Sequence, residues 1–140
     1  MIVLDTNVLS EVMKRSPAPQ VLAWLAAQPS GALFTSTVTQ AEILYGVELL
    51  PHGKRRTGLE SAVAKVFEED FAGRILPFDS DAAAMFGTIA AARQKLGRPI
   101  TQFDAQVAAI ARSRGAAVAT RNTADFKHCG VVVLNPWNGH

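Results

Sequence analysis

The stretch 1-MIVLDTNVLSE-11 decides how this chain is read. Met1 to Leu4 is an unbroken apolar run without a polar face, the pattern of a short, fully buried strand. Val8 to Met13 resumes the apolar pattern at helical spacing. Asp5, Thr6 and Asn7 therefore stand at the carboxyl end of a strand, in the turn into a helix. In open α/β sheets that edge is where ligands bind. Two readings are open on this stretch alone: Asp5 starts the turn or caps the helix, or it belongs to a site.

Outward from that strand, apolar runs and helical periods alternate. Strands are expected at Met1–Leu4, Ala32–Thr35, Arg74–Phe78, Ala117–Thr120 and Val131–Leu134. Helices are expected at Val8–Lys14, Ala18–Ala27, Val38–Leu50, Lys54–Phe71, Asp81–Leu96 and Thr101–Arg114, the last two ended by Gly97 and Gly115. The alternation predicts an α/β fold with a five-stranded, mostly parallel sheet covered by helices on both faces. The length of 140 residues predicts one domain, residues 1–140. Asn135–His140, polar apart from Trp137, reads as a frayed tail.

Composition excludes several classes. With 49% hydrophobic and 19% charged residues, the chain is globular rather than disordered. Its one cysteine, Cys129, leaves no internal disulfide and fits a reducing compartment. The opening residues lack a basic n-region, and no apolar run is long enough for a membrane span. A cytoplasmic protein is the expectation. The net charge of +2 is only mildly basic, but short clusters recur: Lys14-Arg15, Lys54-Arg55-Arg56, Arg93/Lys95/Arg98, Arg112/Arg114 and Arg121. Most read as solvated helix faces; a polyanionic partner would use some of them.

Three further segments carry polar chemistry. In 35-TSTVTQAEILYGV-47, helical counting puts Val38, Glu42, Tyr45 and Leu49 on one face. An acid inside such a stripe needs a partner, or forms a capping box with Thr39. In 98-RPITQFDAQVAAIA-111, Asp104 shares a face with Val107, Ala108 and Ala111, and Thr101 three residues earlier resembles a cap. In 118-VATRNTADF-126, Arg121, Asn122 and Asp125 crowd the turn after the fourth strand, where ordinary turn chemistry also prefers Asn and Asp. Carboxylates converging on one edge would repel by about 4 kcal/mol per pair at ~4 Å, and a hard divalent cation removes that cost. Oxygen-only ligands favour Mg²⁺, with Mn²⁺ as the alternative. The histidines at 52, 128 and 140 show no ligand spacing, which argues against zinc.

In the segments LDTNVLSE (4–11), TQAEILYG (39–46), FDAQVAAIA (103–111) and VATRNTADF (118–126), the sequence resembles PIN-domain ribonucleases. The resemblance is closest to the toxin half of VapBC-type toxin–antitoxin pairs, the FitB-like subgroup included, and spans nearly the whole chain. It implies a PIN-like fold and metal-dependent endoribonuclease activity, leaving a 5′-phosphate and a 3′-hydroxyl. Asp5, Glu42 and Asp104 match the acids that bind the catalytic metal, Asp5 and Asp104 as direct ligands. Glu42 would hold a water at the metal or act as base. Asn122 matches a fourth position that is acidic in some members; the amide puts a full second metal site in doubt, and Asp125 would supply part of that charge. Thr6 and Thr120 match small hydroxyl residues near the cluster, and Asn7 would help orient Asp5. The implied partners are RNA, a cognate antitoxin and a second copy of the chain. The surface for the protein partners is sought on the helices of 38–71, at Leu49, Leu50, Val66 and Phe67, although core burial is expected for most of these.

Other classes stay open on the sequence. A solitary RNA-processing PIN nuclease would share the site. A phosphoacceptor domain would use Asp79 after 75-ILPF-78 but lacks the usual second acid on its first strand. A non-catalytic binding module would need none of the three acids.

Overall fold

The computed structural model describes residues 1–139, and within them five strands and six α-helices alternate. The strands are β1 (Ile2–Leu4), β2 (Leu33–Ser36), β3 (Ile75–Leu76), β4 (Ala117–Ala119) and β5 (Val133–Leu134). The helices are α1 (Thr6–Val12), α2 (Pro19–Ala26), α3 (Thr37–Glu48), α4 (Lys54–Lys65), α5 (Ser80–Lys95) and α6 (Gln102–Ser113). A π-helical turn, Val66–Asp70, continues α4, and a 3₁₀ turn, Thr123–Phe126, follows β4. The single helix expected over 54–71 thus changes its winding after Lys65. The expected third and fifth strands are shortened at their ends.

The strand order is β3-β2-β1-β4-β5, and every pairing is parallel. The sheet is therefore wholly rather than mostly parallel. Val3 stands opposite Phe34 on one side and Val118 on the other. Alternation along β1 puts Val3 and Val118 in one core with Val38, Ile89, Val107, Ile110 and Phe126. Ile2, Leu4 and Ala119 enter the other, with Leu9, Val21, Ile43, Val63 and Phe67. Both faces being apolar explains why β1 reads as a continuous run. Gly97 and Gly115, at φ 72° and 65°, supply the left-handed residue that ends α5 and α6.

This order fixes where a site lies. The chain leaves β1 outward to β2 and β3, then returns to lay β4 on the other side of β1. The connections after β1 and β4 part in opposite directions, so a crevice opens at their carboxyl ends, the topological switch point. Asp5 follows β1 and Thr120 follows β4.

Two expectations about surfaces are corrected. Val38, Glu42, Tyr45 and Leu49 do not form a buried stripe: Val38 is buried, whereas Tyr45 and Leu49 are 67% and 66% exposed. The core face of α3 is Val38, Thr39, Ile43 and Val47, rotated from the counted one. Val66 and Phe67 are buried and Leu50 half-buried, leaving Leu49 as the exposed residue of that set. The end of the chain is also not simply frayed. Trp137 packs on the second core, and its backbone N–H donates to Asn135 Oδ1 at 2.9 Å. His140, the last of the expected tail, lies outside the described residues.

A candidate active site at the switch point

Asp5 is both cap and cleft residue. Its Oδ1 accepts the Thr6 N–H at 2.9 Å, capping α1. Its Oδ2 accepts the Thr120 hydroxyl at 2.9 Å and the Asn7 amide at 3.4 Å. Thr120 Oγ1 in turn accepts from the Asn7 amide at 3.2 Å and the Asn122 N–H at 3.1 Å, so its donor and both lone pairs are used. Asn7 Oδ1 takes the Arg121 N–H at 3.1 Å. The ends of β1 and β4 are thus stitched by side chains whose spacing only the strand pairing explains.

The helix-borne acids come from either side. Glu42, on α3, accepts the Thr6 hydroxyl on Oε1 at 2.9 Å, and that hydroxyl lies 3.2 Å from Thr39 Oγ1. The N-cap of α3 is Ser36, whose hydroxyl accepts the Thr39 N–H, so Thr39 and Glu42 form no capping box. Asp104 lies in the first turn of α6, where Thr101 caps the helix by accepting the Asp104 N–H at 3.2 Å. Here the cap is Thr101, and the Asp104 carboxylate faces the cleft.

Asp5, Thr6, Asn7, Glu42, Asp104 and Asn122 line one open cleft of about 430 Å³. Burial pushes the Asp5 carboxyl up to about 6 against the hydrogen bonds from Thr6 and Thr120, and the charges of Asp104 and Glu42 push it the same way. Asp104 is also raised, first by burial and then by the charge of Asp125; the Thr101 hydroxyl and the Arg93 guanidinium oppose the rise. Asp125 is exposed and does not line the cleft; its influence arrives through Asp104. Among the described residues, no three Asp, Glu, His or Cys side chains close into a ready metal cage. The acids line an open crevice instead. That suits a cation such as Mg²⁺, which is held by one or two carboxylates and keeps several waters.

Sequence reading missed part of the wall. Ser10, Glu11, Lys14 and Trp137 also line the cleft, together with Arg121, which the sequence does place in the turn after the fourth strand. Glu11 is buried and joined to Lys14 at 2.9 Å and to the Ala18 N–H at 2.9 Å; the Lys14 ammonium holds its carboxyl below the usual range. Arg121 stacks on Trp137, 5.0 Å from the ring centroid. Arg93 is buried rather than solvated: it donates to the carbonyls of Arg98, Asp125 and Lys127, fastening the loop that carries Asn122 and Asp125. Cys129 is buried beside it, 3.6 Å from Nη1. Asp79, the acid a phosphoacceptor domain would use, caps α5 and pairs with Arg114 away from the cleft.

Comparison with known proteins agrees with this architecture. The model of the PIN domain family matches residues 2–131. The chain is 42% identical to the VapC ribonuclease Y4jK of Sinorhizobium fredii over 98% of both chains. It is 39% identical to the toxin FitB of Neisseria gonorrhoeae over 99% of both. A solved structure of FitAB bound to the IR36 DNA fragment superposes with a TM-score of 0.91 at 39% identity, covering 98% of this chain and 96% of that one. A tRNA(fMet)-specific endonuclease VapC of Shigella flexneri is 32% identical over 96% of both. An all-parallel sheet in this order, an acid-lined cleft at its switch point and similarity along nearly the whole chain converge on one family: the protein belongs to the PIN-domain family, in its VapC/FitB branch.

Proposed function

We propose that this chain is a divalent-metal-dependent endoribonuclease and the toxin half of a toxin–antitoxin pair. The observation that carries the reading is the state of Asp5. It is a buried carboxylate at the switch point, oriented by three donors and raised further by the neighbouring charges of Asp104 and Glu42. Such an arrangement is costly until a cation compensates it. Relatives described as ribonucleases and as a tRNA-specific endonuclease support the same substrate class.

Asp5 and Asp104 would hold the metal, Mg²⁺ or Mn²⁺, and the all-oxygen donor set fits such hard ions. Bound there, a divalent cation supplies a Lewis acid for the phosphate and lowers the pKa of the attacking water. The chain's own residues do the rest. Thr120 and Asn7 fix the orientation of the Asp5 carboxylate. Thr6 occupies Glu42 Oε1 and leaves Oε2 to hold the water and take its proton, which makes Glu42 the general base. Arg121, braced on Trp137 at the cleft wall, would pair with a phosphate of the RNA. Asn122 would contribute polar contact without a second metal site.

An antitoxin is the partner this reading requires, and assemblies with it are described for the FitAB and VapBC neighbours. Exposed Leu44, Tyr45, Leu49 and Phe103 offer apolar surface for a second copy or for the antitoxin. We read residues 1–140 as one nuclease unit, since both cores flank the same sheet. No helix of the described residues is long and apolar enough to cross a membrane, and the RNA substrate points to the cytoplasm. Sequencing of RNA ends after induced expression tests the function. New 5′-phosphate ends should appear with the native chain and vanish with Asp5→Asn; an unchanged end profile with the native chain would refute it.

A further inference from the structure

The acid cleft is not isolated. A second cavity of about 370 Å³ shares Thr6, Ser10, Lys14 and Glu42 with it and continues over Ile43, Val47 and Leu50. A third, about 670 Å³, shares Met13, Lys14, Arg55 and Leu59 with the second. Together they make one trough that begins at the acids and ends between α1 and α4. Its far end carries Lys14, Arg15, Lys54 and Arg55, all exposed, and no acid lines it.

Lys14 is paired with Glu11, but the other three of these cations have little structural purpose. Among the described residues, Arg15, Lys54 and Arg55 form no ion pair, whereas the neighbouring Arg56 is paired with Glu48 and Glu60. Lys54 and Arg55 also occupy the first turn of α4, which holds no acid. Positive charge there opposes the helix dipole. Side chains that break a local stability rule without compensation point to function.

We propose that this trough is the path of the RNA backbone, with Arg15, Lys54 and Arg55 pairing phosphates upstream or downstream of the scissile one and Lys14 bridging the path to the cleft. The inference rests on the ribonuclease reading and adds the residues that bind the substrate. Continuity with the cleft favours RNA over an acidic peptide. An occupant of the basic end that runs on into the cleft must bring a group that the acids and their cation accept, and a phosphodiester does. A peptide carboxylate run would place acid against acid. Beyond the cleft, the trough has an apolar floor of Met13 and Leu59 and no aromatic side chain among its lining. Charge rather than base stacking therefore provides the affinity, and the contacts are indifferent to sequence.

The test measures binding of a labelled single-stranded oligoribonucleotide of about a dozen nucleotides, in EDTA so that nothing is cut, across a salt series. The proteins are the native chain, Lys54→Gln with Arg55→Gln, Arg15→Gln, and a control of equal charge change, Lys95→Gln with Arg98→Gln. Each phosphate contact contributes about 0.7 to the slope of log affinity against log salt for a single strand. The trough double variant should lower the slope by about 1.4 and weaken binding roughly tenfold at low salt, Arg15→Gln should lower it by about 0.7, and the control should change neither. In Mg²⁺, cleavage of the oligonucleotide by the double variant should show a raised KM with kcat kept, and cleavage of a dinucleotide should be unaffected. An unchanged slope and affinity in the folded double variant overturns the proposal, and loss of binding to an acidic protein partner in that same variant would reassign the patch to protein docking. The binding arm needs no catalysis, so a native chain that binds through these residues without cutting would refute the ribonuclease reading and leave the path standing.

Discussion

Asp5 ends a strand, and Asp104 sits in the first turn of a helix; both line the same cleft, and burial raises both. What holds them differs. Asp5 is 6% exposed, and both its oxygens are bonded to the ends of β1 and β4. Asp104 is half-buried, stands next to its own helix cap and has no tie to the sheet. The sheet acid is a fixed anchor whose charge is expensive in the absence of a cation. The helix acid is cheaper to ionise and freer to adjust. The pairing suggests how the fold reconciles precise placement with tolerance: one ligand preorganised by the strands, one brought by a helix.

The largest expected effect is common to both. Asp5→Asn and Asp104→Asn should each lower RNA cleavage by roughly a thousandfold in Mg²⁺, since each removes a charged ligand and several kcal/mol of transition-state stabilisation. A single-turnover assay on one RNA checks this. Retained activity in Asp104→Asn alone would break the symmetry and make Asp5 the sole essential ligand.

The two acids should separate in pH dependence without metal. Asp5 has a folded-state pKa near 6 against an ordinary value of 3.8. Between these values the folded chain holds more protons than the unfolded one, so stability falls as pH rises through that window. The full penalty, about 2–3 kcal/mol, is present above it and gone below it. Denaturant melts in EDTA should show that slope in the native chain and a much reduced one in Asp5→Asn. Asp104 is raised too but is less enclosed, so Asp104→Asn should remove less of it.

Orientation comes next. Thr120→Val keeps the shape of a fully buried side chain and removes the donor to Asp5 Oδ2. It should cost roughly 10- to 100-fold in Mg²⁺ affinity or activity, measured by metal titration. Thr101→Val removes the cap of α6 and the hydroxyl that partly offsets the burial of the Asp104 carboxyl. On the less enclosed acid it should change metal affinity less than Thr120→Val does, and helix stability by about 1 kcal/mol.

Smaller still is the stability gained by removing the helix charge. Asp104→Asn keeps the N–H that Thr101 accepts, so the cap survives. In EDTA it should add about 0.5–2 kcal/mol, and Mg²⁺ should reverse the ranking because only the intact site binds it. Thermal melts of both proteins with and without Mg²⁺ decide. The smallest effect belongs to Asn122→Asp. The Asn122 backbone N–H already serves Thr120 and its side chain lines the cleft, so an added carboxylate should tighten Mg²⁺ severalfold, with activity kept.

Much of the fold was legible because a buried parallel sheet leaves a blunt signature: short apolar runs without alternation, separated by helical periods. The acids were legible because Asp5 ends such a run and Asp104 interrupts an apolar face. Periodicity was less able to say where a face points. Glu42, Tyr45 and Leu49 do share a side of α3, but that side meets solvent, and only the packing of Ile43 and Val47 reveals it. Arg93 read as one more surface cation because nothing in its neighbourhood shows that, besides the Arg98 carbonyl just after its own helix, two carbonyls from a distant loop will receive it. Trp137 was lost in a polar tail, although an aromatic there had to find a surface; Arg121 and the second core supply it. Each omission is a long-range contact between segments that carry no matching local pattern.

The central claim is that carboxylates at the switch point make a metal-dependent RNA hydrolase. Its most direct test is cleavage of one defined RNA by the native chain in Mg²⁺, by the native chain in EDTA and by Asp5→Asn in Mg²⁺, all purified identically. The account predicts cleavage in the first alone. Undiminished cleavage in EDTA, or equal cleavage by Asp5→Asn, would contradict it.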